Sequence, residues 1–313
     1  MSSGKLVLGI AVLKAEVFVV RDETTAVEVY DAETLTLLRH LAATELVKPY
    51  DMTSNAKNGS LYIADGGHNG SVHRMTADGR TKYWKLRDAP YGIATAFDGR
   101  NVLVSFSETR KLREYTGDGK LVREILLDDS VVRPAHALQI SKTLWAVCHG
   151  WASDRLQRVC IVDAEGRVVK THGDVAGSSS SSLDSPLRLA LYSRRFLAVA
   201  DVDNFRILLL GPSPSDVREL ISRHDVDRPW RPVRLCLDES RERLYVGDYS
   251  NNDILVFRIH VPSAPLPGSV DDGARASDMV EDDDCVMCGE ADAPSPQKFF
   301  NLKCDLVRLD VAA

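Results

Sequence analysis

Short apolar runs alternate with polar clips along this chain, and none carries a helical stripe of about three turns. The clearest unit is residues 243–259, RLYVGDYSNNDILVFRI. Leu244, Tyr245 and Val246 suit a pleated, half-buried surface, and so do Ile254, Val256 and Phe257. The clip between them is Asp, Asn and Ser, residues that bend the backbone by bonding to their own main chain. A hairpin is predicted, and a lone hairpin is marginal in water, so it needs neighbours.

Copies of the same unit supply them. Pro49, Pro90, Pro134, Pro186 and Pro232 stand 41, 44, 52 and 46 residues apart. Each opens a strand-length run: YDMTS, YGIATAF, AHALQI, LRLAL and VRLCL. Second runs follow as SLYIAD, NVLVSF, TLWAVC, RFLAVAD and RLYVGD. Third runs are VHRM, LREY, RVCIVD, RILLLG and ILVFRI, and fourth runs are TKYWKL, LVREILL, RVVKTHG and VRELIS. A copy without the proline opens the chain as LVLGIAV, EVFVVRD, AVEVYD and TLLRHL. Six such units of roughly 40–50 residues predict an all-β fold, a six-bladed β-propeller of four-stranded antiparallel blades over residues 1–260.

The last unit lacks a fourth run. Residues 261–298 are rich in Pro, Gly, Asp and Glu and read as an acidic disordered linker. Beyond it Asn301–Leu306 alternates polar and apolar at the strand period, so residues 299–309 are expected to return and pair with 253–259. A long loop is no obstacle, because closure entropy grows slowly with length. The Ser-rich stretch 178–182 accounts for the 52-residue spacing and reads as a solvated loop.

Charge changes the picture little. The net charge is −6, but residues 261–313 carry 4 Lys/Arg against 11 Asp/Glu, which leaves a body near neutrality. Such a body does not call for double-stranded DNA, and a basic band would have to be local. No run reaches the ~18 apolar residues of a membrane span. Lys14 and Glu16 break up the apolar start that would otherwise resemble a secretion signal. Of six cysteines, Cys148, Cys160 and Cys236 sit in strand runs without a disulfide framework, which points to a reducing, cytoplasmic setting. Cys285, Cys288 and Cys304 lie in the tail. They fall short of the four ligands tetrahedral zinc needs, so neither metal nor cofactor is expected.

The units resemble NHL-repeat propellers, which have a proline-led strand, a strand ending Tyr-Val-Ala-Asp and an Asn-containing turn. Residues 60–75, 196–210 and 243–257 carry the resemblance. Asp65, Asp201 and Asp248 fall on the strand-end aspartate, and Asn69, Asn204 and Asn251 on the turn. The first unit matches through Asp22, and the third and fourth lose the aspartate. The resemblance implies a binding platform for protein or RNA. Family members often follow RING, B-box and coiled-coil segments in tripartite-motif proteins; none precedes Lys5, so no ubiquitin-ligase activity is carried over.

Loops on one face of the disc are the expected site. They hold His68, Tyr91, Arg110, His136, His149, Trp151, Arg155, Arg188, Phe205, Arg206, Arg234 and Tyr249, read as a loop face of arginines alternating with exposed aromatics. That mixture suits a protein or acidic peptide first and single-stranded RNA second. Charge reversal of Arg188, Arg206 and Arg234 is expected to abolish binding and spare the fold. The strand-end Asp and turn Asn read as structural latches, Asx side chains that satisfy turn amides and tolerate left-handed backbone. A metal-dependent hydrolase or lyase would need convergent ligands at Asp51, Gly92, His136, Arg188 and Arg234, where two arginines would repel a cation. A monomeric, non-catalytic platform is the expectation.

Overall fold

A computed structural model describes residues 5–67, 70–151, 154–173, 182–212 and 216–259, together with the backbone of 307–308. Six antiparallel four-stranded sheets, each with its strands in sequence order, occupy residues 7–42, 49–85, 92–126, 134–172, 186–221, and 232–258 with 307–308. We call these blades 1 to 6. Each innermost strand contacts that of the next blade, and the innermost strand of blade 6 contacts that of blade 1, so the ring closes. The innermost strands are Val7–Leu13, Pro49–Asn55, Gly92–Thr95, Pro134–Gln139, Pro186–Tyr192 and Pro232–Asp238.

The core is divided into wedges between neighbouring sheets, because every second strand is buried on both faces. In Ser60–Asp65, Leu61 and Ile63 pack against Val27 and Val29 of blade 1. Tyr62 and Ala64, on the other face, pack against Ile93 and Val104 of blade 3. The last wedge joins Tyr245 and Val256 of blade 6 to Val17 and Tyr30 of blade 1. Each such side chain, removed from water, contributes about 1.5–3 kcal/mol, which is why these strands read as continuous apolar runs.

One irregularity recurs and matters for the site. Pro49 pairs with Asp65 but Asp51 pairs with Ala64, so Tyr50 is an extra, bulged residue. The same slip places Leu8, Ala135, Leu187 and Val233 in bulges. A bulge leaves its residue outside the ladder and frees its backbone groups. Here it happens at one end of the central channel in five blades.

Blade 6 takes its fourth strand from Val307–Arg308, which pairs antiparallel with Val256 and Leu255. The rest of the expected closing segment, the acidic linker, the serine stretch 178–181, and Cys285, Cys288 and Cys304 lie outside the described residues. Blade 6 also holds a single helical turn, Glu239–Arg241, and among the described residues no helix is long and apolar enough to cross a membrane.

Candidate functional site

Two rings of repeat-equivalent residues lie towards the face that carries the loops. The outer ring is formed by the last residue of each second strand. Asp65 accepts backbone N–H bonds from Val47, Lys48 and Gly67 at 2.8 Å each, and His73 Nε2 lies 3.4 Å away. Burial alone would raise its pKa; His73 and the three amides outweigh it and hold the carboxyl down at about 2. Asp201 accepts from the Asp184 amide, Asn204 Nδ2 and Arg206 Nε, yet burial wins there and its pKa is raised. Asp248 accepts from the Arg231 and Ser250 amides and from Asn251 Nδ2. In each case the carboxylate ties the end of the second strand to the segment that leads into the same blade.

Blade 1 corrects the expectation about Asp22. Val7 pairs with Arg21, so the register puts Arg21 at the latch position. Its Nη1 donates to the Lys5 and Asn252 carbonyls and its Nε to Glu28, an inverted latch in which a cation finds carbonyls. Asp22 accepts from the neighbouring Glu23 amide. Blades 3 and 4 place Phe106 and His149 at this position. The turn asparagines also act differently from expectation: Asn204 and Asn251 donate side-chain bonds, while the following residues Phe205 and Asn252 take the left-handed backbone, at φ 57 and 59. His68 and Asn69 lie outside the described residues.

The inner ring sits at the channel axis and joins all six blades. Arg188 donates from Nη1 to the Leu187 carbonyl and from Nη2 to Tyr50 O at 3.0 Å. Arg234 donates to Leu8 O, Val233 O and, from Nη2 at 2.9 Å, to the same Tyr50 O. All four acceptors are bulge carbonyls. Asp51 accepts the Ile93 amide at 2.9 Å and lies 3.5 Å from Arg188 Nε. His136 Nε2 lies 3.7 Å from Asp51 and 3.4 Å from Ile93 O, while its Nδ1 accepts the Leu189 amide. That bond assigns the ring proton to Nε2. Burial lowers the His136 pKa to about 4, so the imidazole is neutral near pH 7, and burial beside Arg188 lowers Arg234 to about 9, leaving it charged. Gly92 completes the ring because a Cβ there would meet Ala135 O at 2.5 Å and Ser105 Oγ at 2.6 Å.

This placement overturns the expectation of exposure for five residues. Arg188 is 2% exposed, Arg234 7%, His136 6% and His149 0%. Arg206 is mostly buried against Asp201. Their polar groups belong to the fold, because bulge carbonyls and latch carboxylates leave no way to bury them otherwise. The proposed charge-reversal test of Arg188, Arg206 and Arg234 would therefore strike the scaffold. Arg110 is half-buried and paired with Asp129 at 2.5 Å; Arg155 and Tyr249 are exposed.

What faces outward at the channel mouth is a ledge of half-buried rings. Tyr50 and Tyr91 are 5.5 Å apart between centroids, and Tyr91 and Trp151 are 6.3 Å apart and nearly parallel. Lys48 lies over Tyr50, Arg133 over Trp151 and Arg231 over Phe205. Lys48, Arg133 and Arg231 each stand directly before a blade-opening proline. That regularity is readable in the sequence and would have found the cationic partners that loop composition missed. Arg133 is neutralised by Asp154 at 2.5 Å and Arg231 lies 3.3 Å from Asp203.

Behind the inner ring the channel widens into a cavity of about 240 Å³. Asp51, His136 and Arg188 form its ceiling, and Leu138, Leu191 and Leu237 are among its apolar walls. Among the described residues no three His, Cys, Asp or Glu side chains converge as a metal-binding group.

These features define the class of protein: a six-bladed β-propeller whose axis is sealed at one end by two arginines. Known structures share that architecture. A chain of Kuenenia stuttgartiensis hydrazine synthase is 15% identical, with a TM-score of 0.61, over 82% of this chain and 96% of that one. Virginiamycin B lyase from Staphylococcus aureus is 16% identical, with a TM-score of 0.57, over 82% and 81%. A chain of a nidogen/laminin complex is 18% identical, with a TM-score of 0.59, over 75% and 86%. No family model matches the sequence, and no curated protein matches it. At such identities the likeness is one of fold.

Proposed function

We propose that this chain is an NHL-like propeller that acts as a non-catalytic platform and binds a protein partner through its loop face. The observation that carries this reading is the ledge of Tyr50, Tyr91 and Trp151, three half-buried rings in contact across blades 2, 3 and 4. Half-buried Tyr and Trp on a rigid scaffold give large contact area at little entropic cost, the composition of interface hot spots. Both a lyase and a nidogen/laminin complex use this fold, so the fold itself does not choose between catalysis and binding.

Single-stranded RNA is the second reading, favoured by rings flanked by cations. Protein ranks first because the flanking guanidiniums are neutralised within the chain: Arg133 by Asp154 and Arg231 by Asp203. Phosphate binding draws its strength from unpaired cations and counterion release. The test is capture of partners from lysate by the full chain and by the variant Tyr50→Ala/Trp151→Ala, with and without RNase. Protein capture that resists RNase and drops at least about tenfold in the variant is expected. Capture abolished by RNase favours the RNA reading, and capture unchanged by the variant places the site elsewhere.

A further inference from the structure

The face opposite the aromatic ledge carries its own pattern of charge. Each innermost strand ends there in a turn, and the turns of blades 1 to 5 each present an exposed base: Lys14, Lys57, Arg100, Lys142 and Arg194. Neighbouring turns are tied together, so these bases sit on a fixed crown around the channel mouth. Lys57 Nζ donates to the Asp98 carbonyl, and the Phe97 amide to Gln139 Oε1. The Ser193 amide donates to Glu239 Oε1, and Arg241 Nη1 to the Lys14 carbonyl. Arg194 reaches past blade 4 to lie over the ring of Phe97 in blade 3.

The bases outnumber the acids around them. The exposed carboxylates of these turns are Asp98 and Glu239, and turn amides engage both: Arg100 and Asn101 at Asp98, Ser193 at Glu239. Among the described residues Lys14, Lys57, Arg100 and Arg194 form no ion pair. Like charges around one mouth reinforce each other's field, and an anion relieves it. The chain itself leaves and re-enters at this face. Ile259, just past the third strand of blade 6, donates its amide to Glu242 O in that blade's own turn. Val307–Arg308 pairs antiparallel with that strand, so it sets out from the same end. Between these points residues 271–292, outside the described residues, carry nine Asp/Glu and one Arg.

We propose that the acidic segment 271–292 docks on this basic crown, its carboxylates against Lys14, Lys57, Arg100 and Arg194. Reach is no obstacle. The third strand of blade 6 stands two strands from the innermost, about 10 Å away. The chain on either side of the segment spans about 20 Å even as a coil. So tethered, the segment meets the crown at an effective concentration on the order of millimolar, which favours it over a dilute free polyanion. The contact is ionic and solvated, so salt weakens it. It lies on the face away from Tyr50, Tyr91 and Trp151 and does not depend on the partner reading.

Carbodiimide cross-linking of the full chain, which joins lysine amines to carboxylates without a spacer, tests it by mass spectrometry. Joins from residues 271–292 to Lys14 and Lys57 are expected within one chain. They should exceed joins to Lys48, Lys82 and Lys85, exposed lysines of the loop face and an outermost strand, by at least about fivefold. The excess should vanish in 1 M salt, where screening acts within about 3 Å. Equal joining of all five lysines overturns the site, and joins between two chains in place of joins within one overturn the tether. Glu281→Gln/Asp282→Asn/Asp283→Asn/Asp284→Asn leaves every described residue untouched. A synthetic peptide of residues 271–292 should bind this variant at least about fivefold more tightly than the wild type, because its tethered competitor is weakened. Adding Lys14→Glu/Arg100→Glu/Arg194→Glu, at an unchanged melting temperature, should abolish peptide binding. Equal affinity for wild type and the amide variant, or none for the variant up to about 1 mM, overturns the proposal. If the charge reversals prove destabilising, the cross-link pattern and the amide variant decide without them.

Discussion

The outer and inner rings are built from repeat-equivalent positions, yet they hold the propeller together in different ways. Each outer latch works mainly within its own blade, so Asp65, Arg21, Phe106 and His149 are interchangeable solutions to one local problem. The inner residues meet one another across the axis. Tyr50 O receives guanidinium bonds from blades 5 and 6, and Asp51 receives contacts from blades 3, 4 and 5. Repetition therefore yields modular parts where side chains point along a blade, and one cooperative part where they converge.

The sharpest way to break this contrast is Arg188→Glu. It removes the charge opposite Asp51 and sets two carboxylates together in a site nearly without solvent. Loss of one partner of a buried pair costs about 3–5 kcal/mol, and like charge adds to it. Denaturant titration should show this loss, or no soluble folded protein. A variant that melts like the wild type would mean that the ring is decoration.

Acid is the next largest perturbation, and it should strike one blade. His136, His149 and His172 are all buried in blade 4, and burial lowers each to about 4 against an unfolded value near 6.5. A base whose folded pKa is depressed takes up its proton more readily when unfolded. The stability from these groups is therefore complete above about pH 6.5 and lost as the pH falls towards 4. From pH 7 to 5.5 the loss is on the order of 1 kcal/mol per histidine, so about 3 in all. Hydrogen exchange at pH 5.5 should show residues 134–172 opening ahead of the other blades; uniform opening would contradict this.

How legible was this in the sequence? The blades were legible because Pro-led strands and period-two apolar runs are local signals: Leu61/Ile63 and Tyr62/Ala64 declare two buried faces without reference to any distant residue. The latches at Asp65, Asp201 and Asp248 were legible for the same reason. Arg21 was not, because EVFVVRD offers an aspartate one residue later, and only the pairing of Val7 with Arg21 shows which of the two stands at the latch position. Nor was the burial of Arg188 and Arg234. An arginine two residues after a blade-opening proline reads as a solvated loop residue until the carbonyls of Leu8, Tyr50, Leu187 and Val233, spread over 226 positions of chain, are brought around it. Convergence at an axis is a property of the closed ring and of no single unit.

The smallest effects come from the latches, and their additivity is the finest test of the comparison. Asp65 meets three backbone N–H groups with two oxygens; Asn in its place turns an NH2 towards one of those donors and strands it. An unsatisfied buried donor costs about 1–3 kcal/mol, so Asp65→Asn should cost about 2. Asp201→Asn should cost less, because burial already raises the Asp201 pKa and opposes its charge, and Arg206 keeps Ser182 O and Glu219 as partners. The two latches sit in blades 2 and 5 and share no partner. Denaturant midpoints for both single variants and the double variant should then give stability losses that add to within about 0.5 kcal/mol. The reverse is expected of Asp51→Asn with His136→Gln, two residues in contact at the axis, where coupling above about 1 kcal/mol should appear. Coupled latches with additive axial residues would invert the picture, and would mean that the blades communicate through their rims and not through the channel.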